Sequence, residues 1–477
     1  MAGAAAVTLG VVLHLPMFWM GRMDGFRLVG MAMDTGMLAG MGLILIGIAM
    51  ACYGMLPRNV AEQVRASRHI SVAAPEDAPL SRAHFGLMFV LVIALMIDVM
   101  KPASLGFVMP GFAAEYGVSK SQGALLPFAA LTGTVLGSIA WGVAADIYGR
   151  KATILLSALM FVGTSICGAM PSLGWNIAMC FLMGAAAGGM LPVTYALLAE
   201  TMPSRHRGWA LVLVGGLGAS GGYFAASGFS AWLEPVFSWR ILWLLNLPTG
   251  LMLLALGTFI PESAKYLLAH GRRAEAQKVM QRFGTQSHDH GQEEEDVDFA
   301  PIHASESAPI GGIWSKGVRG TSAALSLLAL SWGFINFGIL LWLPADLVAS
   351  GVKMADASGL IARSALIAIP TVAAVAVLYS RWSTKYSLVL VTLISIAGLA
   401  GVIALKANTA LSPLVFLTML IIGTNGMLAI VLPYAAESYP LHIRGRATGW
   451  IAACTKAGGL GAQALGLASL VPTLGVV

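Results

Sequence analysis

Long apolar runs, separated by short polar segments, make up most of this chain. A helix needs roughly 20 apolar residues, in a range of about 17–25, to cross the hydrocarbon core of a bilayer. The pattern gives thirteen candidate runs and therefore predicts an all-α polytopic membrane protein. Two runs come first, and we name the other eleven core helices 1 to 11. In chain order, the runs lie at about 5–20, 36–55, 85–110, 122–145, 152–170, 174–198, 209–233, 241–260, 322–348, 360–379, 387–405, 411–434 and 447–472.

The composition supports a membrane protein, because 57% of the 477 residues are hydrophobic and only 10% are charged. Soluble proteins carry about 25% charged residues. The net charge is +6, but the lysines and arginines are scattered between the apolar runs, so we expect no nucleic-acid partner. The four cysteines lie inside apolar runs without ligand spacing, and we expect neither a metal nor another cofactor.

Two polar stretches interrupt the apolar pattern and divide the chain. Placing both on one side of the membrane, with every second loop after them, puts 19 of the 28 lysines and arginines on that side. The positive-inside rule makes this side cytoplasmic. The predicted organisation is an extra N-terminal two-helix hairpin (1–56), a cytoplasmic linker (57–84), an N-terminal helical bundle (85–260), a cytoplasmic central loop (261–320) and a C-terminal helical bundle (321–477).

A nine-residue motif, E-x-x-P-x-x-x-R-G, occurs twice at the cytoplasmic side. Glu200 begins the first copy after core helix 4, and Glu437 begins the second copy, 237 residues later, after core helix 10. Such self-similarity indicates a duplicated bundle, which is the plan of transporters that rock around a central substrate site. The motif arginines, Arg207 and Arg444, can donate hydrogen bonds to unpaired carbonyls at a helix end or to the nearby glutamate. Two copies favour a gate or hinge over a simple interfacial helix stop.

The loop between core helices 2 and 3 reads Gly142-Val143-Ala144-Ala145-Asp146-Ile147-Tyr148-Gly149-Arg150-Lys151. It closely resembles the G-x-x-x-D-R-x-G-R-[RK] loop of the major facilitator superfamily, with Ile147 in place of the usual arginine. Its glycines allow a tight turn and close helix contact. We expect Asp146 to face the helix ends across the loop, and Arg150 and Lys151 to anchor the loop at the cytoplasmic face.

Core helix 6 ends in Pro261-Glu262-Ser263-Ala264-Lys265-Tyr266-Leu267. This run resembles the P-E-S-P-R-W-L motif of the sugar porters and of related metabolite:proton symporters. A proline at a helix start, followed by an acid in the first turn, predicts a short cytoplasmic helix over about 261–284 with Glu262 near its beginning.

The resemblance implies the major facilitator fold of two pseudo-symmetric six-helix bundles. In that fold core helices 1, 4, 7 and 10 line a central cavity, and core helix 11 lies close beside it. Two features depart from a standard member with twelve helices. Two extra transmembrane helices precede core helix 1, and a twelfth core helix does not follow residue 472, so either the last helix of the family is missing or this chain is cut short.

Ionisable residues inside predicted spans are functional candidates, since each costs on the order of 2.5–3.5 kcal/mol to insert. Asp98 is the sole acid near the middle of a core span, and Lys101 lies one helical turn further on. Lys456 lies near mid-membrane in core helix 11, in the opposite half. This stretch resembles the D-G-[FY]-D motif that aromatic acid:proton symporters usually have, but here it reads Asp98-Val99-Met100-Lys101. The chain therefore keeps only the first of the two acids of that motif.

Three interpretations of Asp98 remain open at this point. It forms a fixed ion pair with Lys101, it couples a proton to transport, or it binds a cationic substrate directly. Lys456 either binds a substrate anion or serves as a structural partner of Asp98. Candidates for substrate contact, with simple helix packing as the alternative, are Tyr195, Trp332, Asn336, Asn425 and Tyr434.

We expect a secondary active transporter, not an enzyme, that spans the bacterial inner membrane many times. It is expected to lie in the lipid bilayer and to bind a proton and a small organic anion. The proton and the anion would be moved together, by symport with alternating access. One alternative is a drug:proton antiporter, although residues 215–222 in core helix 5 lack the proline of the glycine-rich exporter motif. The other alternative is a transporter-like ligand sensor, in which the two extra N-terminal helices would bind a partner.

Overall fold

The computed structural model describes residues 1–55, 70–73, 78–289, 310–315, 317–404, 413–439 and 441–468. The N-terminal hairpin consists of Ala2–Val12, Leu15–Met20 and a 3-10 turn Gly21–Asp24, followed by Thr35–Met55. Core helix 1 is Arg82–Tyr116, core helix 2 is Lys120–Gly123 with Leu125–Tyr148, and core helix 3 is Arg150–Gly163 with the 3-10 segment Thr164–Ala169. Core helix 4 is Leu173–Ala187 with Met190–Thr201, core helix 5 is Ser204–Phe237, and core helix 6 is Ile241–Leu244 with Asn246–Leu256.

The second half begins after two short cytoplasmic helices, Ala264–Ala269 and Arg273–Phe283, and a 3-10 turn, Ile310–Trp314. Core helix 7 contains a π-helical segment, Ile335–Leu340, between two α-helical parts. The two α-helical parts of core helix 7 are Arg319–Phe334 and Leu343–Ala349. Core helices 8, 9, 10 and 11 are, in order, Met354–Arg381, Thr384–Ala404, Pro413–Ser438 and Leu441–Leu467.

Ten helices in the described part of the chain are long and apolar enough to cross a membrane. They are the two N-terminal helices and core helices 1, 2, 3, 5, 7, 8, 9 and 10, while core helices 4 and 6 contain shorter apolar helices. Core helix 4 breaks at Gly188 and Gly189, where a Cβ atom would overlap Thr134 and Trp141 of core helix 2. Close packing of the two helices therefore sets the break.

The two halves meet through four helix pairs. Core helix 5 packs along core helices 8 and 10, core helix 2 packs against core helix 11, and core helix 1 contacts the outer part of core helix 7. Residues near this interface are thus placed by helices from both halves.

The N-terminal hairpin is held together by glycines spaced seven residues apart. Gly3 and Gly10 face Gly47 and Gly40, and a Cβ on any of the four would lie 2.6–2.7 Å from the opposing carbonyl oxygen. Small residues let membrane helices approach closely in this way. The hairpin packs on the outside of core helix 3, in a cluster that contains Val7 with Leu159 and Val162.

Two short strands connect the linker to the central loop. Strand β1 (Ile70–Ala73) pairs antiparallel with strand β2 (Gln286–Asp289), and Val72 is opposite Ser287. The two polar stretches therefore lie at the same end of the helical bundle, as the distribution of cations predicts.

Candidate functional site

Asp98 is placed in the interior of the molecule by the close packing of core helix 1 on core helix 5. Gly218 and Gly222 lie so close to core helix 1 that a Cβ on either would crowd Leu95 or Val99. The Asp98 side chain is only 6% exposed, and its Oδ1 atom has no hydrogen-bond partner among the described residues. Such buried, unsatisfied acids are rare in proteins and typical of functional sites.

Lys101 is even more deeply buried than Asp98, but it points in another direction. Its Nζ atom lies 2.7 Å from the centroid of the Phe161 ring on core helix 3, within the same half. Nζ has no hydrogen-bond partner among the described residues, so Lys101 forms no ion pair with Asp98 in this arrangement. The spacing of Asp98 and Lys101 allows a fixed ion pair between them, but Lys101 makes a cation–π contact with Phe161 instead.

Lys456 approaches Asp98 from the opposite half. Core helix 11 packs closely on core helix 7, because Gly333 leaves no room for a Cβ beside Thr455 and Gly459. Lys456 is close enough to Asp98 for their charges to interact, although no hydrogen bond joins the two side chains. Asp98 therefore has a possible charge partner across the interface as well as Lys101 on its own helix.

Two of the other predicted substrate contacts use their polar groups within the protein. Asn425 donates from Nδ2 to Ser220 Oγ at 3.0 Å and so links core helix 10 to core helix 5, beside a small cavity between the halves. Trp332 donates from Nε1 to the carbonyl oxygen of Thr424 at 2.8 Å. Asn425 thus joins the two halves, and Trp332 joins core helices 7 and 10.

The remaining three candidates lie at different places. The Tyr195 hydroxyl lies against Gly215 of core helix 5, where it would overlap any Cβ. Asn336 lies in the π-helical segment of core helix 7, and its carbonyl accepts from Leu341 N at 3.1 Å. Tyr434 packs in the core of the C-terminal half. Among the described residues, no hydrogen bond joins any of these three side chains to Asp98.

The cytoplasmic motifs of the N-terminal half converge on the start of core helix 3. Glu262 Oε1 accepts from the backbone nitrogens of Arg150 at 2.7 Å and Lys151 at 3.2 Å. A carboxylate in this position satisfies unpaired N–H groups and complements the helix dipole. Gly149 precedes the helix with φ +95°, and a Cβ there would lie 2.6 Å from the Glu262 carboxylate. Glu262 therefore caps core helix 3, and it also accepts from the backbone nitrogen of Ser263 at 3.0 Å, at the start of its own short helix.

The helix predicted over 261–284 is also interrupted. Ser263 is the N-cap of Ala264–Ala269, and the chain turns at Gly271, with φ +69°, before Arg273–Phe283. Burial raises the pKa of the Glu262 carboxyl above its ordinary value and outweighs the opposing effect of its N–H donors and of Arg150.

Glu200 joins the first copy of the repeated motif to the same cluster. Its Oε1 atom lies 3.3 Å from Arg150 Nη2, and its Oε2 atom accepts from Ser263 Oγ at 2.5 Å. Arg150 thus forms an ion pair with the glutamate that begins the first motif copy. In contrast, no atom of the described residues lies within 4 Å of the position that a Cβ on Gly142 would take, so the close contact expected there is absent.

The second motif copy lies against the first across the halves. A Cβ on Gly208 would lie 3.1 Å from Tyr379 Cε1 and 3.2 Å from Glu437 Oε1. Core helices 5, 8 and 10 therefore close together at the cytoplasmic end. The side chains of Asp146 and Arg444 lie outside the described part of the chain.

At the outer end, contacts that the sequence does not reveal join the halves. Lys120 Nζ lies 2.5 Å from Asp346 Oδ1, the Ser230 and Ser358 hydroxyls are 2.9 Å apart, and Tyr223 donates to the carbonyl oxygen of Leu340 at 3.4 Å. The halves thus touch at both ends, with Asp98 buried between.

Residues 87–462 match the sequence model of the Major Facilitator Superfamily. The chain belongs to this superfamily. The predicted fold class is therefore confirmed, and this major facilitator is a multi-pass transporter of the bacterial inner membrane, not an enzyme.

Relatives of this major facilitator include two transporters from Acinetobacter baylyi. The niacin transporter NiaP is 26% identical over 398 residues, covering 82% of this chain and 88% of the relative. The 4-hydroxybenzoate transporter PcaK is 30% identical over 310 residues, covering 63% and 67%. The xylose transporter XylE from E. coli, solved in a partially occluded inward open conformation, has the same fold, with a TM-score of 0.61, 15% identity and coverage of 80% and 90%.

Proposed function

We propose that this transporter moves a small aromatic carboxylate together with a proton, by alternating access of a site between its two halves. The observation that supports the proposal is that Asp98 and Lys456, two ionisable residues inside core helices of opposite halves, are close enough for their charges to interact. The names of the two relatives, a niacin and a 4-hydroxybenzoate transporter, support an aromatic acid as substrate.

Lys456 is the proposed anion site. A substrate carboxylate beside its ammonium group would gain a charge-assisted hydrogen bond in a low-dielectric setting. Such a bond would also compete with Asp98 for the same cation. Binding of the substrate anion would therefore offset the positive charge that favours the ionised form of Asp98.

Asp98 is the proposed proton carrier. A buried carboxylate that loses its nearby cation is destabilised in its charged form and takes up a proton. Lys101 does not prevent this, since its ammonium group is directed to Phe161. Substrate and proton would then enter the site together. Release of either one on the opposite side of the membrane would favour release of the other.

The contacts at the two ends support alternating access. The outer ion pair Lys120–Asp346 and the cytoplasmic contact of Gly208 with Glu437 each join the halves. Rocking of rigid bundles requires that one set opens while the other stays closed. In the present arrangement both sets of contacts are closed, which supports an occluded intermediate in the proposed cycle.

The direct test is transport by the purified chain in proteoliposomes. An outside-acid pH gradient should drive accumulation of labelled 4-hydroxybenzoate or nicotinate above equilibrium, and a protonophore should abolish it. Liposomes without protein control for passive entry of the acids. Gradient-driven expulsion of a cationic dye, without acid uptake, would contradict the proposal in favour of an antiporter. Binding of the acid without counterflow would contradict it in favour of a sensor.

A further inference from the structure

A cavity of about 570 Å³ lies at the outer end of the molecule, away from the central site. The end of the first N-terminal helix forms one wall and the end of core helix 5 forms the other. Its lining combines one cation, Arg22, and one acid, Glu234, with the aromatic rings of Trp19, Phe26 and Phe237. The cavity therefore offers two opposite charges within an aromatic frame.

Backbone strain is concentrated at this cavity. Phe26, with φ +61°, and Ser238, with φ +63°, are the two non-glycine residues with positive φ among those the structure describes, and both line it. Such conformations cost about 1–3 kcal/mol each and cluster at functional sites. The Phe26 ring is held by stacking on Phe18 at 4.8 Å and by an edge contact with Phe237 at 5.8 Å.

The two walls are fixed relative to each other by Glu115 at the outer end of core helix 1. Its Oε1 atom accepts from the backbone nitrogen of Leu28 at 2.8 Å, in the hairpin loop, and from Arg240 Nη2 at 2.7 Å. Its Oε2 atom accepts from Trp239 Nε1 at 2.9 Å, next to Ser238. A buried carboxylate with these donors ties both walls to the core, so the cavity is a built feature.

The two charges define what fits between them. Glu234 Oε2 accepts from the Ser230 hydroxyl at 2.8 Å, so Oε1 remains to accept from a ligand. The Arg22 guanidinium lies 5.3 Å from the Trp19 ring centroid at the exposed rim. An ammonium group suits the inner carboxylate and the aromatic rings, whereas a phosphate suits the guanidinium.

Exposed apolar side chains surround the cavity. Trp19, Trp232 and Val236 are 55%, 72% and 62% exposed around it, at the ends of their helices. Exposed aromatic residues at helix ends are typical of the headgroup depth of a membrane. We propose that the cavity binds the phosphoethanolamine headgroup of an outer-leaflet phospholipid, with its ammonium at Glu234, its phosphate at Arg22 and its acyl chains along Val236.

Lipid binding to the full, delipidated chain in detergent tests this proposal. Dioleoyl phosphatidylethanolamine should bind more tightly than the phosphatidylglycerol or phosphatidylcholine with the same chains, measured by native mass spectrometry and by thermal stabilisation. Arg22→Gln should weaken ethanolamine-lipid binding about tenfold, as the loss of a charge-assisted contact worth about 1.4 kcal/mol predicts. Arg27→Gln, an exposed change in the same loop but outside the lining, should leave binding unchanged.

Glu234→Gln gives the sharper readout, because it should remove the preference for ethanolamine over glycerol headgroups without reducing binding of phosphatidylglycerol. Equal affinity of the wild type for all three lipids would overturn the proposal. An equal effect of Arg22→Gln and Arg27→Gln would overturn it too. Full competition by soluble glycerophosphoethanolamine, at the same concentration as the lipid, would contradict the membrane as the source of the ligand.

Discussion

The ammonium group of Lys120 lies 2.5 Å from Oδ1 of Asp346 and so joins the start of core helix 2 to the end of core helix 7. Lys120 is 36% exposed and Asp346 only 9%, and the Trp342 ring lies 5.3 Å from the same ammonium group. The pair is thus partly shielded from water, where ion pairs are stronger than at an open surface. It fastens the two halves at the outer end.

Lys120→Ala should open the outer end more often. A partly exposed ion pair contributes about 0.5–1 kcal/mol, which corresponds to a two- to fivefold shift in the population of outward-open molecules. A cysteine at Ser358, in a background without native cysteines, should then react faster with an impermeant thiol reagent from outside. The exchanged pair, Lys120→Asp with Asp346→Lys, should restore slow labelling. No change in the labelling rate of the single variant would rule out a closing role for this pair.

Gly149→Ala should destabilise the cytoplasmic cluster. Its backbone, at φ +95° and ψ 158°, is in a region essentially restricted to glycine, where another residue costs about 1–3 kcal/mol, and a Cβ would displace Glu262. We expect a lower unfolding midpoint and impaired transport. Gly142→Ala is the matched control in the same motif, since open space surrounds that position, and it should be tolerated. Equal tolerance of both variants would contradict the assigned role of Gly149.

The spans were predictable from the sequence because a membrane imposes a fixed length of apolar helix, whatever its neighbours. The breaks within them were not. Core helix 4 is interrupted at Gly188 because Thr134 of another helix leaves no space for a side chain, and hydropathy carries no such information. The same holds for the π-helical segment of core helix 7.

The sequence indicates which mid-span charges are candidate site residues, but not which contacts they make. It singles out Asp98, Lys101 and Lys456 because such charges are costly, and it leaves both Lys101 and Lys456 open as partners of Asp98. In the structure Lys101 points to the Phe161 ring of core helix 3 instead. Likewise, Lys120 is visible as an outer cation, but its partner lies 226 residues further along the chain.

The N-terminal hairpin should cross the membrane twice, with its loop outside. Val29→Cys, in that loop and 47% exposed, should react with an impermeant thiol reagent in intact cells. Gln286→Cys, at the start of strand β2, should react only in inverted vesicles. Labelling of both positions from the same side would mean that the hairpin does not span the bilayer.

Lys456→Gln should weaken substrate binding while leaving folding intact, because the amide keeps the shape of the side chain but removes its charge. Loss of a charge-assisted hydrogen bond of about 1.5–3 kcal/mol predicts an affinity at least tenfold lower. Binding of the transported acid to purified protein measures this effect. Lys385→Gln, at an exposed cytoplasmic position, is the control and should bind normally. Unchanged affinity in the Lys456 variant would exclude it as the anion site.

The most direct measurement for the central claim is transport by Asp98→Asn in proteoliposomes, since asparagine mimics a permanently protonated carboxyl group. Wild type and the exposed control Asp356→Asn should accumulate the acid under an outside-acid gradient and also exchange it between equal pools. Asp98→Asn should lose the accumulation but keep the exchange. Accumulation by this variant against the substrate gradient would contradict proton coupling at Asp98, and loss of exchange as well would assign the residue to substrate binding or structure.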